Sequence, residues 1–425
     1  MRILVVGAGA REHALCWRVS RDPGVDEVLC APGNAGIARQ FRTLAADPAD
    51  PEVILALAES ERIDLTIVGP EAPLARGIAD LFGARGRPIF GPRRTAAGLE
   101  TSKAFAKEFM RRHGVPTSRY RVCSDADQAA AVIRSGELGP APVVKADGLA
   151  GGKGVIVTQT ADDAEAAVRA LMIDRTLGDA GRSIVLEERL DGPEISFFVV
   201  ADGECAVPLV VAQDHKRIFD GDRGPNTGGM GAFAPSPLAD AALQDRILRE
   251  IVDPVLQGLI REGAPYRGVL YCGLMLTPQG PTVIEFNTRF GDPEAQVILP
   301  MITEPLVPLL WAAASGGLRS SRVAVSTKPH IGVVLAAEGY PGDVKTGARI
   351  EGLDRVTAEC PEVLVFHAGV QQQDQALVVA GGRVLTVVGT GATFDAAIDR
   401  AYDAVSRISF TGMQYRRDIG QKALT

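Results

Sequence analysis

Over the first hundred residues, short apolar runs alternate with stretches of helical spacing. Residues 2–6, 27–30 and 64–68 read as strands, each mostly apolar behind one charged residue, and 12–20, 51–61 and 73–82 read as the helices between them. Runs this short and this apolar suit strands covered on both faces. Strand–helix–strand alternation predicts a doubly wound parallel sheet that takes its ligands at the carboxyl ends of the strands. Those ends carry Gly7-Ala-Gly9-Ala-Arg11-Glu12, Ala31-Pro-Gly-Asn34-Ala-Gly36 and Gly69-Pro-Glu71-Ala-Pro73.

The pattern then changes. A helix at about 102–113 precedes a strand at 142–145, a glycine-rich loop at 147–154, a second strand, a helix at 162–172 and a strand at 183–188. This order predicts a small lobe over about 120–189. A larger lobe begins near 190, with strands at 194–201, 205–212, 267–277 and 281–287 and a helix over 239–262 that Pro254 should bend. From about 328 the texture shifts again, to strands at 330–336, 363–366 and 382–388 and a helix at 394–407. The expected α/β architecture has three domains: 1–101, 102–327 and 328–425.

Composition narrows the class. Of 425 residues, 46% are hydrophobic and 23% charged, with 45 Lys and Arg against 52 Asp and Glu, for a net charge of −7. That balance argues against nucleic acid or a membrane surface as a partner. No run of 18 apolar residues predicts a membrane span. Cysteines 16, 30, 123, 205, 272 and 360 are scattered and form no C-x-x-C pair, so buried thiols in a reducing compartment are expected. The N-terminus passes straight into a strand with no secretory pattern, which predicts a cytoplasmic protein.

The densest chemistry lies in Glu285-Phe-Asn-Thr-Arg-Phe-Gly-Asp-Pro-Glu-Ala-Gln296. Residues 285 and 287, two apart on a strand, project to one side. A carboxylate and an amide oxygen suit a hard cation that takes its remaining ligands from phosphates and water; taken alone, the pair reads equally as an edge strand with a solvated acid before a turn on Gly291-Asp292-Pro293. Arg289 is a natural partner for phosphoryl or acyl-phosphate oxygens.

Other motifs leave alternatives open. Gly7-Ala-Gly9 lacks the third small residue of a dinucleotide fingerprint, because Glu12 stands there, yet loop and helix start can cradle a phosphate beside Arg11. Glu71 is either an acceptor for ribose hydroxyls or a favourable acid in the first turn of a helix. The loop Asp147-Gly-Leu-Ala-Gly-Gly-Lys-Gly154 departs from a Walker loop and reads as a hairpin folding over phosphates, with Lys145 beneath it, or as a solvated surface hairpin. Glu187-Glu188-Arg189-Leu190 ends a strand that can offer a carbonyl and an amide to an adenine edge, with Glu194 further on. Asp214-His-Lys216-Arg217 and Gly224-Pro-Asn-Thr-Gly-Gly-Met-Gly231 form a long polar segment, either functional or a disordered insertion.

In order along the chain these strings resemble the phosphoribosylamine–glycine ligase family of ATP-grasp enzymes. The matching pieces are Gly-x-Gly-x-Arg-Glu-His-Ala at 7–14, Ala-Pro-Gly-Asn-Ala-Gly at 31–36, Val-Gly-Pro-Glu-Ala-Pro-Leu at 68–74 and Ser102-Lys103. They continue with Lys-Ala-Asp-Gly-Leu-Ala at 145–150, Gln-Asp-His-Lys-Arg at 213–217, Gly-Pro-Asn-Thr-Gly-Gly-Met-Gly-Ala at 224–232 and the string at 285–296. The resemblance implies a pre-ATP-grasp domain, a two-lobed ATP-grasp domain and a C-terminal domain like that of biotin carboxylase.

It also implies roles. Lys103 and Lys145 would hold ATP phosphates under the loop bearing Gly151, Gly152, Lys153 and Gly154. Glu188 and Leu190 would meet adenine, with Glu187 nearby and Glu194 on the ribose. Glu285 and Asn287 would ligate Mg²⁺ or Mn²⁺. Gly9, Arg11, Asn34 and Glu71 would contact phosphoribosylamine, while Asp214 and Lys216 orient glycine or the amine and Arg289 stabilises charge on the acyl side. The implied enzyme is a monomer acting on small molecules, ligating glycine to phosphoribosylamine through glycyl phosphate.

Two departures stand out. Gly151 replaces an Ala common in the family. Residues 268–276 carry no acid where related folds often have a metal ligand, which leaves Asp292 or Glu294 as candidates to complete the shell. The rival readings are another ATP-grasp ligase and a non-catalytic nucleotide-binding module.

Overall fold

The computed structural model describes residues 1–424. Its N-terminal sheet is parallel, in the spatial order Arg42–Thr43, Glu27–Pro32, Arg2–Gly7, Leu65–Val68, Ile89–Phe90. Strand order reverses between Arg2–Gly7 and Leu65–Val68, so a crevice opens at their carboxyl ends. Gly7-Ala-Gly9 and Gly69-Pro70-Glu71 meet there. The helix expected over 73–82 is two, Glu71–Ala75 and Ile78–Ala84, because Gly77 between them is left-handed at φ 81°.

The small lobe is an antiparallel sheet of Tyr120–Cys123, Ile184–Glu187, Val143–Ala146 and Val155–Ile156. Helices Ala126–Ser135 and Ala161–Val168 cover it, burying Ile133, Val168, Ile184 and Leu186. In the larger lobe Glu194–Asp202 and Arg267–Thr277 are the central strands, flanked by Ala206–Pro208 and Gly280–Asn287. The strand expected over 205–212 is interrupted: Ala206–Pro208 pair with Glu194–Asp202, and beyond a break Ala212 and Ser196 exchange both backbone hydrogen bonds.

The long helix runs from Ala241 to Arg261 but opens into a π-turn over Leu248–Val252, just before Pro254. Proline has no N–H to donate, and its ring crowds the carbonyl four residues back. The expected bend is therefore a widened turn on its N-terminal side.

The third sheet was not foreseen in full. Its order is Gln213–Asp214, Gly231–Ala234, His330–Ala336, Arg383–Thr390, Leu364–His367. Its first two strands come from the polar segment read as part of the 102–327 stretch. Gly231 permits the join, because a Cβ there would lie 2.6 Å from the Gly332 carbonyl oxygen. Far from being disordered, residues 217–226 form the hairpin Arg217–Phe219 with Arg223–Asn226. Helix Phe394–Val405 packs on the third sheet and buries Ala397, Ala401 and Val405.

Cys16, Cys30, Cys123 and Cys272 are buried as expected, but Cys205 is exposed and Cys360 half-buried. Cys205 lies in the turn after Glu194–Asp202, where the chain reverses at the surface. Among the described residues no helix is long and apolar enough to cross a membrane.

Four histidines, His13, His215, His330 and His367, are buried, and burial lowers each of them. Burial above all lowers His13 and His215 to about 3 and His367 to about 4. The unfolded chain binds protons near pH 6.5 that these rings refuse, so their contribution is full above 6.5 and falls as pH drops toward 3. Neither ring nitrogen of His215 has a hydrogen-bond partner. His215→Leu should therefore flatten the acid limb of the stability curve by about 1.4 kcal/mol per pH unit between pH 6 and 4.5. Urea denaturation at four pH values measures the slope; an unchanged slope contradicts a neutral buried ring.

Candidate active site

A cavity of about 740 Å³ lies between the two lobes and the N-terminal crevice. One wall is the end of strand Gly280–Asn287. Phe286 turns into the core at 2% exposure, which leaves Glu285 and Asn287 on the opposite face, toward the cavity. Glu285 faces Gly273 across the ladder, and a Cβ on Gly273 would lie 3.0 Å from its Cγ. Burial works against the charge on Glu285, yet Lys216, Lys103, Lys145 and Arg289 together hold its carboxyl down at about 2. An ionised carboxylate beside an amide oxygen is the donor set a hard cation takes.

Asp292 and Glu294, the candidates to join the pair, both have partners within the protein. The Glu294 carboxylate accepts from the Tyr271 hydroxyl at 2.7 Å and the Ser196 hydroxyl at 3.3 Å and is buried. Asp292 accepts from Gln296 at 2.7 Å and pairs with Arg383 at 3.1 Å. Both candidates for the missing ligand are thus engaged by the protein. Among the described residues no cluster of three or more His, Cys, Asp or Glu is arranged to hold a metal.

Beyond Asn287 the strand ends in a charged knot. The Thr288 backbone N–H and hydroxyl donate to Glu100 at 2.7 and 3.0 Å, and Arg289 pairs with the other Glu100 oxygen at 2.8 Å. Arg289 also donates to Glu71 at 3.2 Å and to the Asn287 side-chain oxygen at 3.2 Å. Burial, with the nearby Glu71, raises the Glu100 carboxyl against the pull of Arg289. At Glu71 burial is outweighed by Arg289 and Arg11, and the carboxyl is lowered. Glu71 opens the helix Glu71–Ala75 and also lines the cavity.

The opposite wall is cationic. Lys103 heads the helix Lys103–His113, which Ser102 caps by accepting from the Phe105 amide at 3.0 Å. Lys103 lines the cavity with no hydrogen bond or ion pair among the described residues. Lys145 is less free: it donates to the Ile284 carbonyl at 2.8 Å and pairs with Glu187 at 2.9 Å. Glu187 is a buried carboxylate that also pairs with Lys107 at 2.8 Å. Burial lowers Lys107 to about 8, against the opposing effect of Glu187. Lys107 was not anticipated, although it lies one turn after Lys103 and so shares its helix face.

The glycine-rich hairpin is anchored at its base by Asp147, which accepts from the Ser102 hydroxyl, the Ala104 amide and the Ser183 hydroxyl at 2.9, 2.8 and 3.0 Å. Gly151, Gly152 and Gly154 line the cavity, the first two with left-handed φ of 55° and 79°. Lys153 between them is exposed and is not brought to the cavity wall. Glu188, Leu190 and Glu194 line the far end, and Lys216 pairs with Glu194 at 2.7 Å and lies 3.8 Å from Glu285. Burial, with Glu294, Glu194 and Glu285 around it, pushes Asp214 up to about 7 despite Lys216.

The remaining expected residues divide. Arg11 and Glu71 line this cavity, whereas Gly9 and Asn34 line an adjoining one of about 600 Å³ that shares Asp292 and Arg383 with it. The helix-start phosphate cradle is already filled from within. Glu12 accepts from the Gly9 amide at 2.6 Å and from Arg11 at 2.6 Å. A Cβ at Gly69 would lie 2.1 Å from the same carboxylate, so glycine is required there. Asn34 donates to the Ala8 and His367 carbonyls at 2.8 and 2.9 Å and accepts from the Gly36 and Ile37 amides. Its side chain is left with no free donor for a ligand. Arg383 was not anticipated; it arrives from a strand almost a hundred residues beyond the signature, and no local pattern marks it.

Comparison with known proteins fits this geometry. Three family models match the chain: the N domain of phosphoribosylglycinamide synthetase over residues 1–100, its ATP-grasp (A) domain over 101–295 and its C domain over 330–422. A phosphoribosylamine–glycine ligase from Ralstonia nicotianae is 48% identical over 425 residues, covering 100% of both chains. The crystal structure of phosphoribosylamine–glycine ligase from Thermotoga maritima superposes with a TM-score of 0.85 at 34% identity, covering 98% of this chain and 100% of that one. The biotin carboxylase domain of a Hydrogenobacter thermophilus 2-oxoglutarate carboxylase, solved with MgADP, has a TM-score of 0.73 at 19% identity, covering 97% and 91%; this likeness is one of fold.

Proposed function

The chain belongs to the phosphoribosylamine–glycine ligase family, and from that premise we infer how its own residues carry the ligation. The enzyme joins glycine to 5-phospho-β-D-ribosylamine with ATP, giving glycinamide ribonucleotide, ADP and phosphate, a step of purine biosynthesis. The observation that carries the residue assignment is the Glu285–Asn287 pair on one strand face, in a cavity that also holds Lys103, Lys145 and Lys216.

A carboxylate oxygen is a poor leaving group, so glycine must be activated before an amine displaces it. Its carboxylate attacks the γ-phosphorus of ATP, ADP leaves, and glycyl phosphate forms. The sugar amine then attacks the carbonyl carbon and phosphate leaves. Such chemistry needs positioned charge and exclusion of water.

Glu285 and Asn287 would hold Mg²⁺ or Mn²⁺, which would supply Lewis-acid neutralisation of the phosphoryl oxygens. Lys103 and Lys145 hold the α- and β-phosphates, and Glu187 keeps Lys145 aimed. The hairpin with Gly151, Gly152, Lys153 and Gly154 closes over them. Glu188 and Leu190 meet adenine and Glu194 the ribose. Arg289, fixed by Glu71 and Glu100, presents a guanidinium to the acyl-phosphate oxygens. Asp214 and Lys216 offer a carboxyl and an ammonium to zwitterionic glycine. Arg11 and Glu71 face the phosphoribosylamine, with Gly9 and Asn34 shaping the crevice behind.

All these residues come from one chain, which supports a monomer as the working unit. The six cysteines, all unpaired, support a reducing cytoplasm as its location. The test is a coupled assay on purified protein with Mg-ATP. ADP should appear at speed only when both glycine and phosphoribosylamine are present; ADP release indifferent to glycine would count against the reading.

A further inference from the structure

The turn 226–229 touches three parts of the active site at once. On one side it meets the glycine-rich hairpin: Asn226 donates to the Val155 carbonyl at 3.2 Å. Gly152 packs so closely that a Cβ on it would lie 3.3 Å from the Thr227 oxygen and 3.4 Å from Gly228 Cα. On a second side the Thr227 amide and hydroxyl both donate to the Lys216 carbonyl at 2.8 Å. On the third side the C-terminal domain grips it. The Gly228 amide donates to the Tyr340 hydroxyl at 2.9 Å, and Arg383 donates to the Gly228 carbonyl. The same guanidinium nitrogen donates to the Asp292 carbonyl at 2.7 Å, so Arg383 ties the turn to the metal-binding signature.

We propose that the turn 226–229 is the seat on which the hairpin 148–154 closes, and that Tyr340 and Arg383 are positioning residues holding that seat. The inference rests on the ligase reading above. Both act through the turn. Glycines make the fit possible, since a Cβ on Gly228 would lie 3.0 Å from the Arg383 guanidinium carbon.

The seat matters because glycyl phosphate is open to water. If the hairpin closes poorly, a water oxygen attacks the glycyl carbonyl carbon and the C–O bond to phosphate breaks. Glycine and phosphate leave, and the surplus proton passes to solvent. The net result is ATP hydrolysis without ligation. A displaced seat therefore changes the ratio of ADP formed to product formed, whereas a merely structural defect lowers both rates together.

Two mild variants test this. Tyr340→Phe removes only the hydroxyl and keeps the ring packed on Gly382, where a Cβ would lie 2.4 Å away. Asn226→Ala removes the contact from the hairpin side. In each, the share of ADP formed without product should rise about threefold or more over wild type, the scale of one lost hydrogen bond. A second readout is independent of ligation: trypsin cleavage after exposed Lys153, with Mg²⁺ and a non-hydrolysable ATP analogue. The analogue should protect the wild-type hairpin and protect both variants less. An uncoupled share equal to wild type, with wild-type protection, in both variants overturns the proposal. If the wild-type protein forms no glycinamide ribonucleotide, the ligase reading fails and the proteolysis arm still decides the seat.

Discussion

Replacing Glu285 by Gln is expected to lower turnover about a thousandfold or more, at any Mg²⁺ concentration, while the protein still folds. Lewis-acid stabilisation of a transferring phosphoryl group is worth several kcal/mol, and each ~1.4 kcal/mol is a factor of ten. Gln keeps the shape and one oxygen but removes the charge that faces Lys216, Lys103, Lys145 and Arg289. A second consequence follows from that charge. With its carboxyl held at about 2, Glu285 stabilises the fold above pH 4.5, and the contribution is lost as pH falls toward 2. The variant should be less stable than wild type at neutral pH, with the gap closing in acid. Near wild-type turnover at saturating Mg²⁺ would remove Glu285 from the metal site.

Arg289→Met should destabilise the protein by about 3–5 kcal/mol, the cost of leaving a buried charge without its partner. The guanidinium is the cation paired with both Glu100, which is 6% exposed, and Glu71. A second substitution, Glu100→Gln, should recover at least half of the loss. The neutral amide oxygen can still accept from the Thr288 amide and hydroxyl, and no buried carboxylate remains there without a cation. Urea unfolding of wild type, single and double variants measures both changes. A double variant no more stable than the single one would contradict the charge-knot account. The same result bears on kinetics: lost activity in an Arg289 variant mixes chemistry with folding unless stability is measured beside it.

What the sequence discloses follows the range of the physics. Strands at 2–6 and 64–68 and the Glu285–Asn287 pair are legible because period and spacing are local properties. The glycine-rich hairpin is legible because Gly151 and Gly152 take left-handed backbone, which glycine alone adopts freely. Local pattern is silent on partners brought by topology. Nothing near Gly231 marks it as a neighbour of His330–Ala336, and nothing near Arg383 points to Gly228. Glu12 sits at the third position of a would-be phosphate loop, and the sequence shows the departure from the fingerprint but not its result. The result is that the carboxylate takes the anion's place on the Gly9 amide. Asn34 is similar: its residue type suits a ligand contact, and only the fold reveals that both donors bind the carbonyls of Ala8 and His367.

The central claim is that ATP activates the glycine carboxylate before the sugar amine displaces phosphate. Isotope transfer tests it most directly. Glycine labelled with ¹⁸O at both carboxylate oxygens is turned over with Mg-ATP and phosphoribosylamine, and the released phosphate and product are weighed by mass spectrometry. Each phosphate should carry one labelled oxygen from glycine, and each glycinamide ribonucleotide should retain the other in its amide. Unlabelled phosphate alongside labelled product would contradict the account.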